Sequence, residues 1–171
     1  MYDTDMSDDC SLAMGSALGQ RLKSVGQSVA VAESSTGGLI AATLLAVPGA
    51  SAYFKGGTVI YTARSRYQLL QTDRDELREL MGDREKLAAH FARRVRTLLH
   101  ATWGVSELGI AGPTGSPYGD PPGLSVIAID GPVSRTVRIE TGDTSREANM
   151  WCFTEHALEL LAEALEAAPT A

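Results

Sequence analysis

Glu33-Ser34-Ser35-Thr36-Gly37-Gly38 places a carboxylate and three hydroxyls just ahead of two glycines. A short β-branched run over 28–32 precedes the segment, and a mostly apolar run over 36–47 follows it. A strand that feeds straight into a helix sets its hydroxyls beside unpaired N–H groups and the positive end of the helix dipole. Such a junction holds a phosphate, a carboxylate or a developing oxyanion. A serine there is a candidate nucleophile. Equally, Ser34, Ser35 or Thr36 can serve as the helix cap, for which these residue types are preferred. Glu33 has two readings as well: it binds ribose hydroxyls, or it holds the loop.

A second loop, Gly109-Ile110-Ala111-Gly112-Pro113-Thr114-Gly115, follows a strand over 105–111. Its bare backbone suits a wall that cradles a ligand, with the Thr114 hydroxyl as a donor; it also suits a long loop that needs positive φ at several points. Eleven of the 17 glycines fall in the windows 37–57 and 104–123. Neither loop carries G-x-G-x-x-G, G-x-x-x-x-G-K or G-x-S-x-G. In an open α/β sheet, ligands bind at the carboxyl ends of strands, where both loops lie. Tyr61 ends a further strand over 57–62, packed in the core or facing the site. Lys55 begins that strand and reads as a solvated lysine.

Composition narrows the classes. The 171 residues are 44% hydrophobic, enough for one domain with a real core and too apolar for a disordered chain. The net charge is −6, and four of the acids (Asp3, Asp5, Asp8, Asp9) lie in the first nine residues. The body is therefore near neutral, which argues against a nucleic-acid grip. Arg93, Arg94 and Arg96 read as a solvated helix face. Two distant cysteines build neither a disulfide framework nor a thiolate zinc site. No apolar run nears the ~18–20 residues of a membrane span. The acidic start lacks the basic region of a signal peptide, which points to a cytoplasmic protein. Residues 1–9 read as a disordered acidic tail and 10–167 as a single domain.

Periodicity supplies the elements that must position these residues. Helices are expected over 10–25, 36–47, 65–80 (broken near Thr72-Asp73), 84–102 and 145–167. The helix over 84–102 carries Leu87, Phe91, Val95, Leu98 and Leu99 on one stripe. Strands are expected over 28–32, 57–62, 105–111, 123–130 and 133–140, the last two meeting at an Asp130-Gly131 hairpin. This order predicts an α/β fold: a three-layer α/β/α sandwich with a mixed, mostly parallel sheet.

These segments in this order resemble the CinA carboxy-terminal domain family, whose characterised members are nicotinamide-nucleotide amidases. The resemblance rests on Ala32 to Gly38, Pro48-Gly49-Ala50-Ser51, Phe54 to Gly57, Val59-Ile60-Tyr61, Gly109 to Gly115, Pro122-Gly123 and Gly142-Asp143. It runs from about residue 11 to 165. Larger relatives carry an additional N-terminal domain, for which this chain is too short. The resemblance implies hydrolysis of the carboxamide of nicotinamide mononucleotide to the nicotinate nucleotide and ammonia, with no metal and no cofactor. It implies Ser34 as nucleophile, Tyr61 on the following strand, and amides near Thr36 to Gly38 around the oxyanion. Substrate contacts fall on Glu33, Thr36, Gly37, Gly38, Gly112, Thr114, Gly115 and Arg146. Where the family has its base, a lysine, Arg66 stands; a guanidinium stays protonated and does not accept a proton, but Arg66 with Tyr61 can still orient Ser34 or bind a phosphate or oxyanion. The alternative is thus a lapsed homologue that binds nucleotide or a partner without turnover. The resemblance further implies a homodimer acting on a small nucleotide.

Overall fold

A computed structural model of the chain describes residues 6–169. Six α-helices and five strands follow one another along it: α1 (Met6–Ser24), β1 (Val29–Glu33), α2 (Leu39–Leu45), β2 (Phe54–Val59), α3 (Ala63–Leu70), α4 (Arg74–Leu80), α5 (Arg84–Leu98), β3 (Trp103–Ile110), β4 (Leu124–Asp130), β5 (Arg135–Glu140) and α6 (Arg146–Ala167). The strands form one sheet in the order β2-β1-β3-β4-β5.

Period-two alternation splits the core between the two faces of that sheet. Val29 and Val31 of β1 pack with α1, α2 and α6 on one face, together with Trp103, Val105, Ile127 and Ile129. Ala30 and Ala32 pack on the other, with Ile60, Leu70, Leu77, Phe91 and Val95 from the side of α3, α4 and α5. This is the expected three-layer α/β/α sandwich. Gly104 sets the spacing of the second face: a Cβ there would collide with the Ala92 carbonyl of α5. The α5 stripe is seated as expected at Leu87, Phe91 and Val95, but Leu99 falls at the C-cap and is exposed.

The sheet is mixed in equal parts. β1 runs parallel to β2 and β3, while the β3–β4 and β4–β5 pairings are antiparallel. The expected parallel majority is absent because no helix lies between β3 and β4 to carry the chain back for a parallel return.

Most bounds shift by a few residues from the sequence reading, and three of the shifts have a clear physical cause. α1 starts at Met6, so residues 6–9 are helical; once a helix is nucleated, each further residue adds a hydrogen bond without a new nucleation cost. The rest of the expected tail, residues 1–5, lies outside the described residues. α2 starts three residues late, at Leu39, because Gly37 and Gly38 both take positive φ (66° and 110°). β2 ends at Val59, since Thr62 turns the chain by capping α3 in a reciprocal box with Ser65. Tyr61 therefore lies in the link between β2 and α3 rather than on a strand. Among the described residues no helix is long and apolar enough to cross a membrane.

Candidate functional site

β1 and β3 are parallel neighbours, so the junction after Glu33 and the loop after Ile110 emerge side by side at their carboxyl ends. Two buried glutamates, one from each strand, shape the junction.

Glu33 turns away from solvent into the start of α2. Its Oε2 accepts hydrogen bonds from the Thr36 hydroxyl at 2.8 Å and from the Gly38 and Ile40 amides at 3.0 Å each. Its Oε1 accepts from the Ala41 amide at 2.8 Å. Burial pushes this carboxyl above its ordinary value, and the four donors pull it part of the way back. Of the two roles read from sequence, Glu33 takes the structural one.

Glu107, in the middle of β3, is fully buried. Its Oε1 accepts the Ser35 hydroxyl at 2.6 Å and the Ser125 hydroxyl at 3.0 Å. Its Oε2 accepts the Ser34 amide at 3.0 Å and the Thr36 amide at 3.1 Å. The Thr36 hydroxyl lies 3.1 Å from the same oxygen, with one proton to share between the two glutamates.

These bonds correct the expected oxyanion site. The Thr36 and Gly38 amides are already given to Glu107 and Glu33, and α2 is only seven residues long. Its amino end is closed by its own carboxylate.

The open space lies on the other side of the junction. A cavity of about 340 Å³ is walled by Ser34, Ser35, Tyr61, Arg66, Arg84, Arg146 and the loop from Gly109 to Tyr118. Ser34, Tyr61, Arg66, Gly112, Thr114, Gly115 and Arg146 thus come together as the sequence reading places them. Glu33, Thr36, Gly37 and Gly38 do not line it: Glu33 and Thr36 are buried behind the junction, and the two glycines bend the chain away. Lys55 is exposed on β2, away from this wall. The Ser34 hydroxyl makes no hydrogen bond to another described residue.

Three arginines line the cavity and no carboxylate does; Arg84 is paired with Asp120, which leaves Arg66 and Arg146 as its unpaired charges. Arg66 lies half-buried on α3, its Nε donating to the Ile60 carbonyl at 3.3 Å and its guanidinium 5.9 Å from the centre of the Phe91 ring. Burial, and then repulsion from Arg84, hold it below its usual value. Arg146, first in α6, donates to the Gly112 carbonyl at 2.7 Å and to the Tyr61 hydroxyl at 3.3 Å. A larger cavity of about 490 Å³ adjoins the first, with Arg66, Arg84 and Tyr118 common to both walls.

Sequence reasoning missed Glu107, Arg84 and Asn149. Asn149 is buried in α6 and donates to the Ala111 and Asp143 carbonyls, both at 2.9 Å, which pins the start of the loop. Of the arginines expected to be solvated, Arg94 instead bonds the Leu70 and Gln71 carbonyls at the end of α3, and Arg96 pairs with Asp130 at 2.6 Å. For Glu107 one signal was present: it shares a strand face with Val105 and Gly109, an apolar setting for a charge.

Comparison with known proteins places the arrangement. Residues 12–165 match the family model described as the CinA C-terminal domain. A CinA-like protein of Cyanothece sp. strain PCC 7425 is 43% identical over 126 residues, which cover 74% of this chain and 30% of that protein. A CinA-like protein of Gloeobacter violaceus is 37% identical over 157 residues, 91% of this chain and 36% of its own. The chain spans about a third of the length of these relatives. Among solved structures, the competence/damage inducible protein CihA from Agrobacterium tumefaciens superposes with a TM-score of 0.83 at 28% identity, covering 92% of this chain and 96% of that one. A CinA superfamily protein from Escherichia coli gives 0.82 at 26%, covering 95% and 92%. With residues 12–165 of its 171 matched by the family model and the fold shared with these structures, the chain belongs to the CinA C-terminal domain family.

Proposed function

We propose that the chain is an amidohydrolase that releases ammonia from the carboxamide of nicotinamide mononucleotide and leaves the nicotinate nucleotide. The observation that carries this reading is the pairing of strand-end serines with three arginines in one cavity that no carboxylate lines. Its volume of about 340 Å³ lies at the small end of ligand sites and suits a mononucleotide. Arginine is the side chain of choice for a phosphate, through its planar fork of donors. Tyr61, 57% exposed, offers an aromatic surface to a cationic pyridinium ring. One of the two pocket serines, Ser34 or Ser35, attacks the amide carbon.

The test is ammonia release from nicotinamide mononucleotide by the purified chain. Turnover that disappears in the Ser34→Ala, Ser35→Ala double variant supports the reading. A nucleotide-dependent rise in melting temperature without ammonia gives the second reading instead, a binding protein on the same scaffold; Arg66, a guanidinium that takes no proton, is the observation in its favour. No turnover and no melting shift removes both.

A further inference from the structure

The larger cavity beside the serines has no part in amide hydrolysis, and its wall is of a different kind. Three carboxylates, Asp83, Glu85 and Asp120, line it where the first cavity has none, and Met81 and Leu87 add an apolar surface. We propose that this second cavity binds a nucleoside 5′-phosphate, with the phosphate on Arg66. The inference goes beyond the amidohydrolase reading and needs no turnover in the first cavity.

Most charges in the wall are already matched. Arg84 is paired with Asp120, Arg138 with Glu140 at 2.8 Å, and Asp83 with Lys86 at 3.0 Å. Arg66 and Glu85 are left. Arg66 spends its Nε on the Ile60 carbonyl, while its two terminal nitrogens make no hydrogen bond to a described residue. These form a planar fork that matches two oxygens of a phosphate. Arg66 is also half-buried, so an anion there is held more strongly than at an open surface.

A ligand that answers this wall is anionic at one end only. A polyphosphate or dicarboxylate long enough to fill the cavity would bring a second charge against Asp83, Glu85 or Asp120. The rest of the wall suits a nucleoside. Tyr118, at 78% the most exposed large hydrophobic side chain among the described residues, presents a ring on which a base can stack. Met81 and Leu87 offer apolar contact to the same flat body. Glu85 accepts hydrogen bonds from ribose hydroxyls, which donate to a carboxylate. The volume of about 490 Å³ lies within the range of small-molecule sites.

Arg66, Arg84 and Tyr118 belong to both walls, so a phosphate on Arg66 can be reached from either cavity. The nucleoside phosphate therefore arrives in one of two forms. It is a free mononucleotide, or it is the second half of a dinucleotide whose pyridine half lies beside the serines.

The experiment is titration calorimetry of the full chain with adenosine, adenosine 5′-monophosphate, nicotinamide mononucleotide and nicotinamide adenine dinucleotide. Wild type is compared with Arg66→Ala and with two crowding variants, Gly82→Trp and Met81→Trp. A Cβ at Gly82 meets nothing within 4 Å, so a large ring there enters open space at the cavity wall. In wild type the monophosphate is expected to bind about tenfold or more tightly than adenosine, the size of a hydrogen-bonded charge. In Arg66→Ala the two are expected to bind alike, which a merely structural Arg66 would not produce. At least one crowding variant is expected to lower affinity for the monophosphate about tenfold while ammonia release from nicotinamide mononucleotide stays at the wild-type rate. A dinucleotide that binds more tightly than either half and displaces the monophosphate makes the two cavities one site. Monophosphate and nicotinamide mononucleotide held together make them two. Both results support the second cavity. A monophosphate that does not bind, binds no better than adenosine, or keeps its affinity in both crowding variants overturns it. Ammonia release without monophosphate binding leaves the amidohydrolase reading standing alone, and monophosphate binding without ammonia leaves the second cavity standing alone.

Discussion

Arg84 closes on Asp120 through two hydrogen bonds, Nε to Oδ1 at 3.2 Å and Nη2 to Oδ2 at 2.5 Å. Asp120 also accepts the Ser116 hydroxyl at 2.6 Å. The start of α5 is thereby tied to the far end of the 111–123 loop, whose near end is held by Arg146 and Asn149. That loop is one wall of the cavity, so its order governs the binding geometry. Arg84→Gln is expected to cost about 1 kcal/mol of stability, in line with a part-exposed ion pair. Ligand binding is expected to weaken more, by about tenfold or ~1.4 kcal/mol. Thermal denaturation and titration calorimetry read the two effects separately; a stability loss with unchanged affinity would uncouple the loop from the site.

The same pair sets a pH response. The hydrogen bonds from Arg84, and then from Ser116, hold Asp120 below its ordinary value. A depressed carboxyl contributes stability that is present above its unfolded-state value of ~3.9 and lost as pH falls through the folded-state value. Wild type should therefore lose loop order on acidification below the ordinary aspartate range. Asp120→Asn should show the loosened loop already at neutral pH and no further change there. Proteolytic nicking of residues 111–123 across pH 3–7 checks this, and identical profiles would refute it.

Glu33→Gln tests the closed end of α2. The carboxylate receives three donors on Oε2 and one on Oε1. Glutamine keeps an acceptor for the first set and turns an amide N–H₂ toward the Ala41 amide. One buried donor is left unsatisfied, which costs about 1–3 kcal/mol. Melting temperature should fall accordingly. Ligand affinity should change little, because Glu33 does not line the cavity.

Gly109→Ala and Gly82→Ala make a matched pair. At 109 a methyl overlaps Ser35, Glu107 and Phe153, whereas at 82 it meets nothing within 4 Å. Overpacking of this kind costs about 1–3 kcal/mol. The first variant should lose both stability and turnover. The second should match wild type in both.

Arg66→Ala and Arg146→Ala should each weaken binding of an anionic ligand and flatten its dependence on salt, since charge attraction is screened over ~10 Å at 0.1 M ionic strength. Arg146→Ala should also loosen the loop at Gly112, which Arg66→Ala should not. Affinity measured at low and high salt separates charge from loop order.

The elements were legible because each carries its own period. The Leu87-Phe91-Val95 stripe names α5, and the break at Thr72-Asp73 is a cap in the structure, with Asp73 accepting from the Asp75 and Glu76 amides. Boundaries slipped where backbone geometry overrode composition, as at Gly37-Gly38. The cavity wall was legible because strand ends and glycines mark where ligands meet backbone. Glu107 was not, because its partners at 34–36 lie about 70 residues away and nothing local announces them. Glu33 was half legible: its place at the junction is plain, but whether it faces inward depends on which amides two glycines present to it. Asn149 and Arg84 act on a loop whose path no local pattern encodes.

The sealed amino end of α2 has a consequence for how this cavity attracts ligands. The backbone dipole of that helix contributes little to the cavity's positive potential, which rests on removable side chains on separate elements, Arg66 on α3 and Arg146 on α6, while Arg84 on α5 is paired with Asp120. The cavity's selectivity for charge can therefore be retuned one element at a time, without disturbing the strand ends that carry the serines.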